Sequence, residues 1–208
     1  MVNRQTIRRK IFHLVLSGVL LFSLGAVALL PQPVSAASEW ALSFDGIDDY
    51  VDCGNPVTLG ETTFEWWMKT PHDWTAYKGI FDLSSGTFYT GLHMMPNTGK
   101  FYLRLNSSNR REFYNAPADL SGWHYYVLYI AGSGINDIDN STLEIDGAAL
   151  TPGSTVKTNA PLAWDKFILG MSDYGFLECT IDEVRIYNRG LTPLEIQHHY
   201  LAAKRRYR

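Results

Sequence analysis

The chain has 208 residues, 46% of them hydrophobic and 19% charged, with a formal net charge of −3. That is one ordinary domain with enough length for a proper core. An acidic balance excludes a general nucleic-acid binder, whose footprint is basic.

The N-terminus reads as a targeting segment. Arg4, Arg8, Arg9 and Lys10 form a basic start, and residues 11–30 are an apolar run. Pro31 and Pro33 break the run, and Val34-Ser35-Ala36 fits the small-residue cleavage rule. A run of about 20 residues is also long enough for an uncleaved anchor, but a breaker followed by a cleavage site favours removal. The expected organisation is a signal peptide over 1–36, one domain over 37–203 and a basic tail over 204–208, in a secreted or cell-surface protein with no membrane span after cleavage. Losing the segment's four cations takes the net charge from −3 to −7. Two cysteines remain, Cys53 and Cys179, and an exported chain permits their one intramolecular pairing. Two inert buried thiols are the alternative.

Short alternating runs then follow one another. Trp40 to Phe44 alternates and turns at Asp45-Gly46. Thr63 to Lys69 puts Phe64, Trp66 and Met68 on one face. Lys78 to Leu83, Phe88 to Met94 and Lys100 to Leu105 form a meander with a turn at Asn97-Thr98-Gly99. Trp123 to Ile130 is a long apolar strand. Thr142 to Ile145 runs into Asp146-Gly147, a two-residue hairpin signal. Phe167 to Leu169 and Ile181 to Tyr187 are the last strands. Many short strands with regular turns predict an all-β antiparallel sandwich. One helix is expected over residues 193–203: Thr192 is an N-cap, Pro193 takes the first helical position and Glu195 lies in the first turn.

The blocks "ALSFDGIDDYVDCGN" (41–55), "TTFEWWMKT", "GWHYYVLYI" (122–130), "STLEIDGAAL", "FILGMSD" and "IDEVRIYNRGLTPLEI" resemble the laminin-G-like, pentraxin-related branch of concanavalin A-like domains. The resemblance spans nearly all of 41–198 and implies a jelly roll. Its first and last strands would be neighbours in one sheet, and the short helix would cover one end of the sandwich. It also implies that Cys53 and Cys179 lie on or beside neighbouring strands, which favours their disulfide.

Relatives hold a structural calcium near the opening turn, so the resemblance implies a metal set of Asp45, Asp48, Asp49 and Asp182. Calcium takes hard oxygen ligands of this kind, although Asp45-Gly46 and Asp48 also suit a tight bend without metal. Of the acidic-amide run through which pentraxins hold calcium for their ligands, Asp173 alone matches. Glucanases of this fold carry Glu-x-Asp-x-x-Glu, whereas here Glu144-Ile145-Asp146 is followed by Ala149, so the carboxylates that glycoside hydrolysis needs are incomplete. Aromatic side chains near expected loops, Trp74, Tyr77, Tyr89, Tyr114 and Tyr174, are candidate platforms for sugar rings, with Asp173 beside them and Arg104 and Arg110 as donors. Aromatics of a sandwich more commonly fill its core.

The expectation is a non-catalytic binding module, lectin-like, with a glycan or surface polysaccharide as ligand and calcium as a structural cofactor. The alternative is an adhesion protein that binds a surface protein. A divergent polysaccharide-degrading enzyme comes third.

Overall fold

Alternation along the chain resolves into two facing antiparallel sheets. The computed structural model describes residues 40–55, 60–71, 75–83, 90–95, 98–105, 109–132, 136–157 and 164–207. The strands are β1 (Leu42–Asp45), β2 (Val51–Asp52), β3 (Thr62–Lys69), β4 (Lys78–Asp82), β5 (Gly91–Met95), β6 (Lys100–Arg104), β7 (Arg110–Tyr114) and β8 (His124–Ile130). They continue as β9 (Thr142–Ile145), β10 (Ala148–Ala149), β11 (Thr151–Val156), β12 (Ile168–Leu169), β13 (Met171–Ser172), β14 (Gly175–Phe176) and β15 (Glu178–Tyr187). Helix α1 (Pro193–Lys204) follows.

One sheet has six strands in the order β1-β15-β3-β8-β9-β10; the other has seven, β11-β7-β6-β5-β4-β12-β2. The first and last strands pair, with Leu42 opposite Ile181 and Phe44 opposite Cys179. The predicted meander is the run β4-β5-β6. Asp146 and Gly147 take φ of 55° and 80° in the β9–β10 turn, the left-handed pair that a tight hairpin requires.

The core lies between the sheets. Successive side chains of a strand face opposite ways, so Phe64, Trp66 and Met68 enter the core, where they meet Phe81, Leu92, Phe101 and Phe113 from the facing sheet. Every residue of β3 before Lys69 is buried, however, including the outward-facing Glu65 and Trp67. A strand buried on both faces needs a second cover, and α1 supplies it. Ile196, Tyr200 and Ala203, together with Tyr207, pack against Trp67, Tyr125 and Val127. The Trp67 ring stacks at 4.3 Å on Tyr207 and 5.8 Å on Tyr200. The helix therefore covers the outer face of the six-stranded sheet, not an end of the sandwich. It begins with a reciprocal cap: Thr192 Oγ1 accepts from the Glu195 N–H at 3.3 Å, and Glu195 accepts from the Thr192 N–H at 2.8 Å.

Under the helix, Glu65 is fully buried and bound from four sides. Arg185 donates to it at 2.8 Å, the Tyr125 hydroxyl at 2.7 Å and the Tyr187 hydroxyl at 3.1 Å, while His199 Nδ1 lies at 2.9 Å.

The expected disulfide is not formed. Cys53 and Cys179 are both free thiols, the first exposed and the second buried. The reason is topological. β2 pairs with β12 at the edge of the seven-stranded sheet, and Cys53 extends that ladder by donating its N–H to the Phe167 carbonyl at 2.9 Å. Cys179 faces the core from the other sheet. Burial, with Glu178 nearby, pushes the Cys179 thiol up to about 12, so it stays protonated and unreactive.

Candidate functional site

The outer face of the seven-stranded sheet gathers aromatic and cationic side chains. In β6, Phe101 and Leu103 turn into the core, so Lys100, Tyr102 and Arg104 turn out. Register places His93, Tyr102 and Glu112 in one cross-strand row and Arg104 beside Arg110 in the next. Gly79 heads the first of these rows, opposite His93. A side chain there would collide with Ser172, since an added Cβ would lie 2.0 Å from its Oγ. The missing side chain lets the β13–β14 hairpin fold down over β4.

That hairpin carries Tyr174 at its turn. The Tyr174 ring stacks on Tyr77 at 4.8 Å and meets the edge of His93 at 5.1 Å. Tyr77 in turn lies parallel to Tyr102, 6.4 Å away. Arg104 reaches the Tyr174 hydroxyl. The guanidinium of Arg110 sits 5.5 Å from the Tyr102 ring, and the Lys100 ammonium sits 4.0 Å from Tyr114.

Glu112 ties the row together, accepting from Tyr102 at 3.1 Å and also from Tyr114. Burial raises its carboxyl, but hydrogen bonds from Tyr114, Ser154 and Tyr102 outweigh that and hold it below the ordinary glutamate range. Tyr102 is pushed up to about 12, by burial first and by Glu112 second. The face thus presents half-buried rings and donors on Arg104 and Arg110, with the ionised Glu112 buried beneath them as a support.

Of the residues expected from the sequence, Tyr77, Tyr174 and Tyr114 share this face, Asp173 is exposed at the hairpin turn, and Trp74 and Tyr89 lie outside the described residues. Tyr102, His93 and Glu112 were not anticipated. The alternation of Lys100-Phe101-Tyr102-Leu103-Arg104 carried the signal for Tyr102.

Asp45, Asp48 and Asp49 come together at the surface, with ligand oxygens within 4.8 Å of one another. Asp45 Oδ1 caps the turn by accepting from the Ile47 N–H at 2.8 Å, and Asp49 accepts from the Asp45 N–H at 3.1 Å. Both roles are tight-bend chemistry, yet each carboxylate keeps a second oxygen. A spread of 4.8 Å also suits oxygens on opposite sides of an ion bound at about 2.4 Å. Asp182 is not part of the cluster. Asp45 pairs with Glu178, four residues before Asp182 on β15, about 13 Å along a strand. Asp182 instead accepts from the Tyr207 hydroxyl at 2.5 Å, beside Arg206.

Two sheets face to face with a helix across the back of one define an antiparallel jelly roll. Residues 45–197 match the concanavalin A-like lectin/glucanases superfamily in its laminin-G group, and the chain belongs to that family. No curated protein matches the chain by sequence.

Among solved structures, a Trypanosoma rangeli sialidase in complex with the inhibitor DANA is similar at a TM-score of 0.54 and 18% identity over 80% of this chain and 28% of the other. The botulinum neurotoxin serotype D/C binding domain is similar at 0.52 and 13% over 69% and 37%. A botulinum neurotoxin type C structure, described by its dependence on two ganglioside molecules for cell entry, is similar at 0.51 and 12% over 69% and 36%. The chain spans about a third of the length of these proteins, and identities this low show the fold alone.

Proposed function

We propose that the domain is a non-catalytic carbohydrate-binding module that holds its ligand on the outer face of the seven-stranded sheet. The observation that carries this reading is the Tyr174–Tyr77–Tyr102 ladder with Arg104 and Arg110 beside it. Rings present apolar faces to sugar C–H groups, and the guanidiniums supply fixed donors to hydroxyls or carboxylates. The similar structures include a ganglioside-dependent toxin and a sialidase, which is consistent with a sugar ligand. Glu144 and Asp146, the acids nearest to a glucanase pattern, belong to the other sheet, and Asp146 is committed to His124 at 2.7 Å and the Tyr125 N–H at 3.0 Å. The basic and apolar N-terminal segment fits export, which would expose the module to extracellular glycans.

A glycan array tests this. The expected result is saturable binding to one sugar class, weakened about 3- to 10-fold by Tyr174→Ala, the worth of one aromatic contact. A blank array from folded protein would move the reading to a protein ligand, and unchanged affinity in the variant would move the sugar off this face.

Calcium at Asp45, Asp48 and Asp49 belongs to the same reading as a structural ion. At ten times its Kd, an ion that binds only the folded state adds about 1.4 kcal/mol, or about 3–5 °C in a domain this size. Melting in millimolar calcium and then in chelator should show that rise, and no shift removes the ion from the proposal.

A further inference from the structure

Across the outer face of the six-stranded sheet, Arg185, Glu65, Val127, Glu144 and Ala149 form one cross-strand row. The row holds two glutamates in opposite situations. Helix α1 crosses Glu65, which has four partners. Glu144 lies beyond the helix, and among the described residues no ion pair reaches it. Desolvation alone pushes its carboxyl above the ordinary range.

Glu144 sits where two hollows of about 300 and 530 Å³ meet, between β8–β9 and the first turns of α1. Their shared wall is Pro193 and Ile196, flanked by Val127, Leu191 and Leu201. Among the described residues, no Lys, Arg or His lines either hollow. Arg189, just before Gly190 of the first hollow, is held by both oxygens of Glu195 at 2.9 and 2.7 Å. Three of the wall hydroxyls are engaged: Thr63 donates to the Arg189 carbonyl at 2.7 Å, Tyr129 to Glu61 at 2.6 Å and Thr192 to Glu195 at 3.0 Å. Asp146, the second acid of the groove, is paired with His124. At the rim of the second hollow, Leu194 and Leu201 are 60% and 54% exposed.

We propose that this groove binds a lysine side chain carried on an apolar segment of a protein partner, its ammonium on Glu144 and its stem along Val127 and Ile196. Charge complementarity sets the sign of the ligand. The apolar walls match a four-carbon stem ending in a point charge. The exposed leucines extend the apolar contact past a single side chain. A neutral sugar fits less well, because it brings no counter-charge to Glu144, the wall acid that no ion pair reaches among the described residues. This surface lies on the opposite sheet from the aromatic face and stands independently of it.

The test is an NMR titration with N-acetyl-lysine methylamide, followed at the amides of Val127, Glu144 and Ile196. The norleucine counterpart has the same stem without the charge. The lysine compound should give saturable millimolar shifts, at least ten-fold stronger than norleucine, and Glu144→Gln should reduce it to the norleucine level. That variant removes a desolvated charge with no partner and should fold. Thr142→Lys, at an exposed position two residues along the same strand face, should place a tethered ammonium on Glu144 and block the probe. Equal response to both compounds, no saturable shift, or full binding in either variant overturns the proposal. Tighter binding of glucosamine than of the lysine compound overturns it in favour of an amino sugar.

Discussion

Glu65→Ala should lower the unfolding free energy by about 3–5 kcal/mol, the cost of removing one partner from a buried ionic network. The reason lies in what stays behind. Arg185 keeps its place under α1 and His199 its place on the helix, and the hydroxyls of Tyr125 and Tyr187 lose their common acceptor. Against a typical total of about 5–15 kcal/mol, that loss shows clearly in a urea melt. Because His199 belongs to α1 and Arg185 to β15, hydrogen exchange should rise first in the helix. The same group makes an acid-side prediction. Burial raises the Glu65 carboxyl, but Arg185, Tyr125 and His199 together hold it below its ordinary value of 4.5. A depressed carboxyl stabilises above its unfolded-state value, and that contribution is lost as pH falls through the folded value. The gap between wild type and Glu65→Ala should therefore be full at pH 7 and shrink below about pH 4.5. A gap that is constant with pH would show that the ionised form is not what matters.

How far the sequence discloses this molecule depends on the range of each signal. Local signals were legible. Phe64, Trp66 and Met68 alternate into the core, Asp146-Gly147 makes its hairpin, and Thr192 with Glu195 caps the helix. Long-range placement was not. β2 has only two residues, too few for a pattern that chooses a sheet, so the Cys53–Cys179 bridge rested on a neighbourhood that does not exist. Asp182 misled in a similar way: its strand does neighbour β1, but four residues of extended chain carry it to the helix side. The helix position was not legible either: of the outward-facing Thr63, Glu65 and Trp67 only Trp67 is apolar, and the burial of all three appears only in the folded structure. The aromatic site was half legible. Tyr77, Tyr114 and Tyr174 were identifiable as loop-proximal rings, but their assembly depends on the hairpin settling over Gly79, which no periodicity encodes.

Trp66→Ala should cost about 3–5 kcal/mol, the range for deleting a buried aromatic ring, and Trp66→Phe about 1–2 kcal/mol. Trp66 is 2% exposed and joins the two sheets. It stacks on Tyr126 of the neighbouring strand at 5.2 Å and nearly parallel, and meets Phe81 of the facing sheet edge-on at 5.8 Å. Phe81 in turn contacts Phe64 at 5.1 Å and Phe167 at 5.5 Å, so a cavity at Trp66 opens onto rings packed on one another that cannot easily collapse into it. Its indole N–H has no hydrogen-bond partner among the described residues. Phenylalanine therefore gives up volume without orphaning an acceptor, which is why the two substitutions should separate in a denaturant melt. Equal costs would mean that the site relaxes around the smaller ring. The same pair also separates stability from binding. Trp66 faces inward, while Tyr174 belongs to the opposite outer face. Trp66→Phe should lower the melting midpoint and leave glycan affinity of the folded protein unchanged, and Tyr174→Ala should do the reverse. A Trp66→Phe protein that stays folded but loses the glycan would tie the aromatic face to the packing beneath it.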